Sequence, residues 1–323
     1  MSGTILELNQ TLFTSDGNKE SFKEILSRLN LKAPVVIKPN WSSSRMYTEG
    51  RILDWILSAI DGEVIVVESY AMWRNEIFTD LTQTRDNDFL EMLRKQKKSD
   101  FRKNDEWFLE FTGIQEVLDQ HDVEYLNISE ELWANRICNP ELIHKEVEKQ
   151  FPPLASESLS ASVPSRLFDL KGGTLLNLTK PKRSLKENFV SLSLKNMFGM
   201  IPTPWRRKYH GENEELLTQS ILDINKIYES LFDVKGIIEA VFTTSETVDN
   251  PMDPLIHSNA GYIWASDNSI ELDALVTNQL GLDPHGIDYL KQASKIFGEW
   301  SNQIEEYGRK HRVVFPEYIR KQS

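Results

Sequence analysis

Two short apolar runs, Val35-Val36-Ile37 and Val64-Ile65-Val66-Val67, flank a stretch in which Ile52, Leu53, Trp55, Ile56 and Ile60 recur at helical spacing. Strand, helix, strand at this distance predicts a βαβ unit, whose crossover sets the two strands parallel in one sheet. Phe22, Ile25, Leu26 and Leu29 predict a helix before the first strand. Further strands are expected near 123–128, 173–178, 189–194, 236–242 and 261–265. Helices are expected near 214–231, near 270–280 and after residue 287. The stretch 73–107 is crowded with charge but keeps Phe78, Phe89 and Leu90, which need burial, so it reads as helical and lid-like. The predicted fold is α/β: a half over 1–160 with a helical insertion near 73–120, a half over 161–323, mainly parallel sheet, and a central cleft.

Polar residues leave two of these strands in similar order. Lys38-Pro39-Asn40-Trp41 follows the first apolar run, and Lys195-Asn196-Met197-Phe198-Gly199 follows Leu192 and Leu194. The ends of parallel strands form the lip at which open α/β sheets bind ligands. Two lysines converging there make a site for an anionic small molecule. Lys195 is expected at the strand end, binding a carboxylate or phosphate or, with a lowered pKa, serving as base or Schiff-base amine. Glu68 ends the second apolar run and could take a proton. Lys180 and Lys182 extend the positive patch. Ser42 opens a Ser-Ser-Ser run suited to cradling an anion or capping a helix. Trp41 reads as a platform for a planar ligand or as core.

The loop Pro202-Thr203-Pro204-Trp205-Arg206-Arg207-Lys208-Tyr209-His210 is the most unusual in the chain. Arg206 and Arg207 could grip an anion with paired hydrogen bonds. His210 is the best-placed acid–base candidate among six histidines. Asp267 is expected to cap the helix starting near residue 269, and Asp273 to face the site from within it.

A net charge of −12 in 323 residues argues against nucleic acid as a partner, since phosphate contacts need a basic face. No apolar window is long enough to cross a bilayer, and the start of the chain lacks the pattern of a secretory leader. The single cysteine, Cys138, fits a reducing cytoplasm and cannot hold an iron–sulfur cluster alone. No H-x-x-x-H, Walker or G-x-G-x-x-G pattern appears. No cofactor is therefore expected, with Mg²⁺ through Glu68 or Asp273, or an organic group, left as alternatives. A homodimer is likewise left open.

The order Lys38-Pro39-Asn40, Glu68, Lys180-Pro181-Lys182, Lys195-Asn196-Met197-Phe198-Gly199, then Asp267 and Asp273 before Gly281-Leu282, resembles the DUF362 family. That prokaryotic group has long lacked an assigned activity. The chain departs from the family pattern at Ser184, where members carry a histidine, and at Lys235, where they carry an aspartate. It also lacks the cysteines of the ferredoxin-like domain that many members append, so their suggested electron-transfer role is not carried over.

The expectation is an enzyme of specialised biosynthesis acting on a carboxylated or phosphorylated metabolite by proton transfer, of isomerase, epimerase or lyase type. Lys38 and Lys195 would neutralise charge while Glu68 or His210 moves the proton, with Asn40 and Asn196 as binding groups. Two rivals stand beside it. One is a cofactor-dependent enzyme whose layout is similar to the nickel-pincer racemases. The other is a binding protein that docks a small molecule or partner through Trp73, Trp107, Trp133 and Trp205.

Overall fold

The computed structural model describes residues 4–80, 86–184, 188–242, 244–247, 250–256 and 260–313. Its strands are β1 (Leu6–Leu8), β2 (Thr11–Thr14), β3 (Val35–Lys38), β4 (Val64–Glu68), β5 (Glu124–Asn127), β6 (Thr174–Thr179), β7 (Lys182–Ser184), β8 (Phe189–Ser191), β9 (Asp233–Ala240), β10 (Thr244–Thr247), β11 (Asn250–Ile256) and β12 (Tyr262–Ser266). Eight of them form one mixed sheet in the order β1-β2-β12-β9-β6-β3-β4-β5. The five from β9 to β5 run parallel, while β12, β2 and β1 continue the sheet antiparallel. The α/β architecture read from the sequence is the observed one. β7 pairs with β8, and β10 with β11, as separate two-stranded ribbons.

The period-two geometry of a strand sends alternate residues to opposite faces. Val36, Ile65, Val67 and Leu175 pack into one core against the helices Leu217–Leu231 and Ser269–Gln279. Val35, Ile37, Val66, Leu176 and Leu178 pack into another against Lys19–Arg28 and Gly50–Leu57. Each such side chain contributes roughly 1.5–3 kcal/mol on leaving water. A third, smaller cluster of Tyr70, Met72, Phe78, Phe89, Leu93 and Phe101 lies under the inserted helices Asn87–Arg94 and Lys98–Phe111. The helical reading of the insertion holds for those two segments. Residues 71–80 are instead turns with one short 3₁₀ helix, Ile77–Thr79.

The strand order locates the lip. From β3 the chain steps outward to β4 and β5, then returns on the other side of β3 to lay down β6 and β9. The crossovers on the two sides therefore diverge above the β3/β6 boundary, the switch point where open α/β sheets offer a crevice. Lys38 pairs in register with Asn177 there, and Asn177 with Gly236.

Two expectations are corrected. The strand expected over 189–194 stops at Ser191, and Ser193–Asn196 forms a single helical turn leading into a 3₁₀ turn, Met197–Met200. The cause is Asp273, whose two carboxylate oxygens accept the backbone N–H groups of Ser193 (2.9 Å) and Leu194 (3.0 Å) and bend the chain out of the strand. Lys195 is thus carried on a turn at the lip, not at a strand end. Asp267 does not cap the helix Ser269–Gln279: Asn268 does, accepting from Ile270 and Glu271, while Asp267 pairs with Lys235 at 3.1 Å.

Candidate functional site

Lys38 ends β3 with its ammonium buried, 1% exposed, so it needs a partner within the fold. Its Nζ donates to Glu68 Oε2 (2.8 Å) at the end of the neighbouring β4, and to the Pro39 carbonyl (2.6 Å). Glu68 is in turn fully engaged. Oε2 also accepts from the Trp41 amide (3.2 Å), and Oε1 accepts from the Ser69 amide (3.0 Å). Burial lowers the Lys38 amine, Glu68 opposes that, and Arg206 and Arg74 add to it. Gly199 closes over the pair so tightly that a Cβ there would lie 2.6 Å from Lys38 Nζ and 2.8 Å from Glu68 Oε1.

A chain of carboxamides runs from the sheet toward the lip. Asn177, in β6, donates to the Ser193 carbonyl (2.8 Å) and accepts from Asn196 (2.7 Å). Asn196 accepts from Asn40 (2.6 Å), and Asn40 accepts from Lys182 Nζ (3.0 Å). Each amide is oriented by its neighbours, so the chain presents a fixed oxygen to the lysine. Lys182 also reaches Ser42 Oγ at 3.4 Å.

Lys182 is the electrostatic centre of this group. Burial, then the charges of Lys195 and Lys38, bring its amine down to about 7, with Glu68 the one carboxylate opposing the shift. Lys195 lies with its Nζ 4.0 Å from the centre of the Phe189 ring. Three lysines from separate parts of the chain therefore share one electrostatic neighbourhood.

Arg206 completes the cationic wall. Its guanidinium donates to the Ser69 hydroxyl and to the carbonyls of Ile201 (3.2 Å), Tyr70 (3.2 Å) and Gly199 (3.5 Å), all neutral oxygens. Burial lowers it to about 10. His210 packs edge-on against Phe198, 4.9 Å between ring centres, and its Nδ1 lies 2.7 Å from Glu214. Burial lowers its pKa, Glu214 raises it, and Lys195 and Arg206 lower it further.

The remaining expected residues lie elsewhere. Lys180 is buried between Glu49 (2.6 Å) and Glu239 (2.7 Å), which raise its pKa against the desolvation that would lower it. Burial pushes the Glu239 carboxyl up, and Lys180 beside it pulls it back down. Trp41 is wholly buried; its indole N–H donates to the Thr48 carbonyl (2.9 Å) and its ring meets Phe108 and Tyr125 edge-on. Arg207 is exposed. Asp273 stands behind the Ser193–Asn196 turn, its carboxyl pushed up to about 7 by burial.

Two contributors escaped the sequence reading. Arg74, 1% exposed, ties the Trp41 and Ser69 carbonyls together at 3.1 Å each and pairs with Asp105, fixing the backbone on both sides of Glu68. Asn177 anchors the amide chain. Its signal was present: a carboxamide in the otherwise apolar Leu175-Leu176-Asn177-Leu178 run has to find partners inside the protein.

Among the described residues no group of three or more His, Cys, Asp and Glu side chains gathers as a metal ion would need. No described helix is long and apolar enough to cross a membrane. What the lip offers is a group of cations, Lys38, Lys182, Lys195 and Arg206, with Glu68 committed to Lys38 and two backbone amides.

Residues 35–278 match a family model described as a domain of unknown function, DUF362. No curated protein and no solved structure matches the chain.

Proposed function

This chain belongs to the DUF362 family, and we propose that it is an enzyme acting on an anionic small metabolite, a carboxylate or phosphate, by proton transfer of isomerase, epimerase or lyase type. The observation that carries this reading is that Lys182, held on the Asn40 carboxamide oxygen, feels the charges of both Lys38 and Lys195. Like charges held together destabilise each other until an anion joins them, so the cluster favours a negatively charged guest.

Lys182 is the best base for this chemistry. An amine with a pKa near 7 is largely neutral at physiological pH and can take a proton from carbon or oxygen. Once protonated, it adds a positive charge beside the developing anion, and Lys38 and Lys195 stabilise the same charge from their own sides. Glu68 fits the role less well, because both its oxygens are engaged by Lys38 and two backbone amides. His210 is the alternative proton carrier, its pKa held down by burial and by Lys195 and Arg206.

The test is a panel of carboxylates and phosphates incubated in D₂O, with deuterium incorporation read by mass spectrometry. Incorporation into a bound carboxylate or phosphate is expected, lost in Lys182→Met and weakened at least tenfold in Lys195→Ala. Unchanged incorporation in Lys182→Met would transfer the role to His210. Anion binding that survives loss of both Lys182 and Lys195 would end the proposal.

A further inference from the structure

A cavity of about 330 Å³ opens between the inserted helices and the loop before Arg206. Phe101, Trp133 and Trp205 wall it, and Arg94 and Lys98 stand at its rim. Tyr70 packs on Trp133 at 5.2 Å between rings and gives its carbonyl to Arg206. The Ser69–Tyr70 backbone and Arg206 thus separate this cavity from the lysine cluster. It is a different site, at the small end of the range for small-molecule pockets.

We propose that this cavity binds a planar aromatic anion carrying an N–H donor, such as an aminobenzoate. Three independent features specify that chemistry. The walls are aromatic, and indole faces and edges favour another ring over an aliphatic body of equal area. The charged residues lining it are both cationic: Arg94 lies 5.3 Å above the Trp205 ring and Lys98 4.9 Å above Trp133. In a chain of net charge −12, an opening with two cations and no lining acid selects anions. The third feature is polar. Gln96 Oε1 and Thr203 Oγ1, on residues that line the cavity, are buried without a hydrogen-bond partner among the described residues. Buried polar atoms are costly unless paired, and a ligand N–H would satisfy the Gln96 carbonyl.

Glu130, beside Trp133 through Arg102, is held first by both Arg102 nitrogens and the Tyr70 hydroxyl, and the charge of Lys98 acts on it less than these do.

Calorimetric titration of the full chain with 4-aminobenzoate and its 2-amino isomer tests the proposal. At least one isomer is expected to bind saturably. Aniline (without the charge), benzoate (without the donor) and cyclohexanecarboxylate (without the π face) should each bind at least about threefold more weakly. Trp205→Ala should weaken the better isomer about tenfold. The exposed Arg94→Gln should weaken it several-fold without risk to folding, while Lys182→Gln at the lysine cluster should leave it unchanged. Failure of both isomers to saturate by about 10 mM overturns the proposal. So does equal binding of cyclohexanecarboxylate, or indifference to both Trp205→Ala and Arg94→Gln. Loss of binding in Lys182→Gln would reassign the ligand to the lysine cluster.

Discussion

Lys180 and Lys182 stand two residues apart on the same segment, yet the fold gives them opposite lives. Lys180 sits between two carboxylates, Glu49 and Glu239, which raise its pKa. Lys182 rests on a carboxamide oxygen and feels the charges of two other lysines, and burial with those charges brings its amine down to about 7. The first is a closed electrostatic unit that holds Glu49, before the helix Gly50–Leu57, against β9. The second has unspent capacity for an anion. Counting lysines in a motif cannot separate the two roles; counting the oxygens around each Nζ does.

The largest effect expected from this contrast is on stability. Lys180→Met leaves two carboxylates facing each other in the interior and should cost about 3–5 kcal/mol in urea unfolding at pH 7. Lys182→Met should cost no stability at pH 7 and is expected to raise it, since it removes a charge that burial and its neighbours already oppose. Equal costs would erase the distinction.

Next in size is amine reactivity. At pH 7.5 an amine with a pKa near 7 is mostly neutral and one near 10.5 almost wholly charged, so Lys182 should acylate about a hundredfold faster than surface lysines of equal access. Peptide mapping after brief acylation checks this, and a bound anion should protect. The matching pH dependence has a definite sign. The unfolded lysine keeps its proton up to about 10.5, while folded Lys182 loses it near 7. Unfolding therefore takes up a proton in that window, and the contribution of Lys182 to stability becomes more favourable as pH rises from about 7 to 10.5. The stability gap between wild type and Lys182→Met should move in that direction; a flat gap would contradict the lowered pKa.

Lys38 stands between the two cases, paired with Glu68 yet close to Arg206 and Arg74. Gly199→Ala would press a methyl into that pair and should cost about 2 kcal/mol. A negligible cost would mean that the Lys38–Glu68 contact gives way easily and is less closed than its geometry indicates. The smallest effect belongs to Asp273→Ala. It removes the acceptor for two backbone amides at the turn carrying Lys195 and Asn196, costing about 1–2 kcal/mol. Anion affinity at the lysine cluster should fall with it.

Much of this was legible in the residues. Val35–Lys38 and Val64–Glu68 announced buried parallel strands through their apolar runs, and the motif order pointed to the family that residues 35–278 match. The two Lys-Asn motifs pointed to one lip, and Asn40 and Asn196 do meet there at 2.6 Å. The strand expected to end at residue 194 could not be read correctly. Its apolar alternation is real, but Asp273, eighty residues later, diverts the backbone. From its neighbours alone Trp41 reads as core or pocket wall before platform; the rings of Phe108 and Tyr125 decide for the core.

By itself, the sequence determined the βαβ frame, its parallel strands and the residue types gathered at their ends, because these follow from local periodicity and from where apolar runs must stop. Tertiary structure alone decided which cation is spent and which is available. That choice depends on the oxygens brought within about 3 Å of each nitrogen by segments far apart in the chain, at distances over which a buried charge gains or loses several kcal/mol.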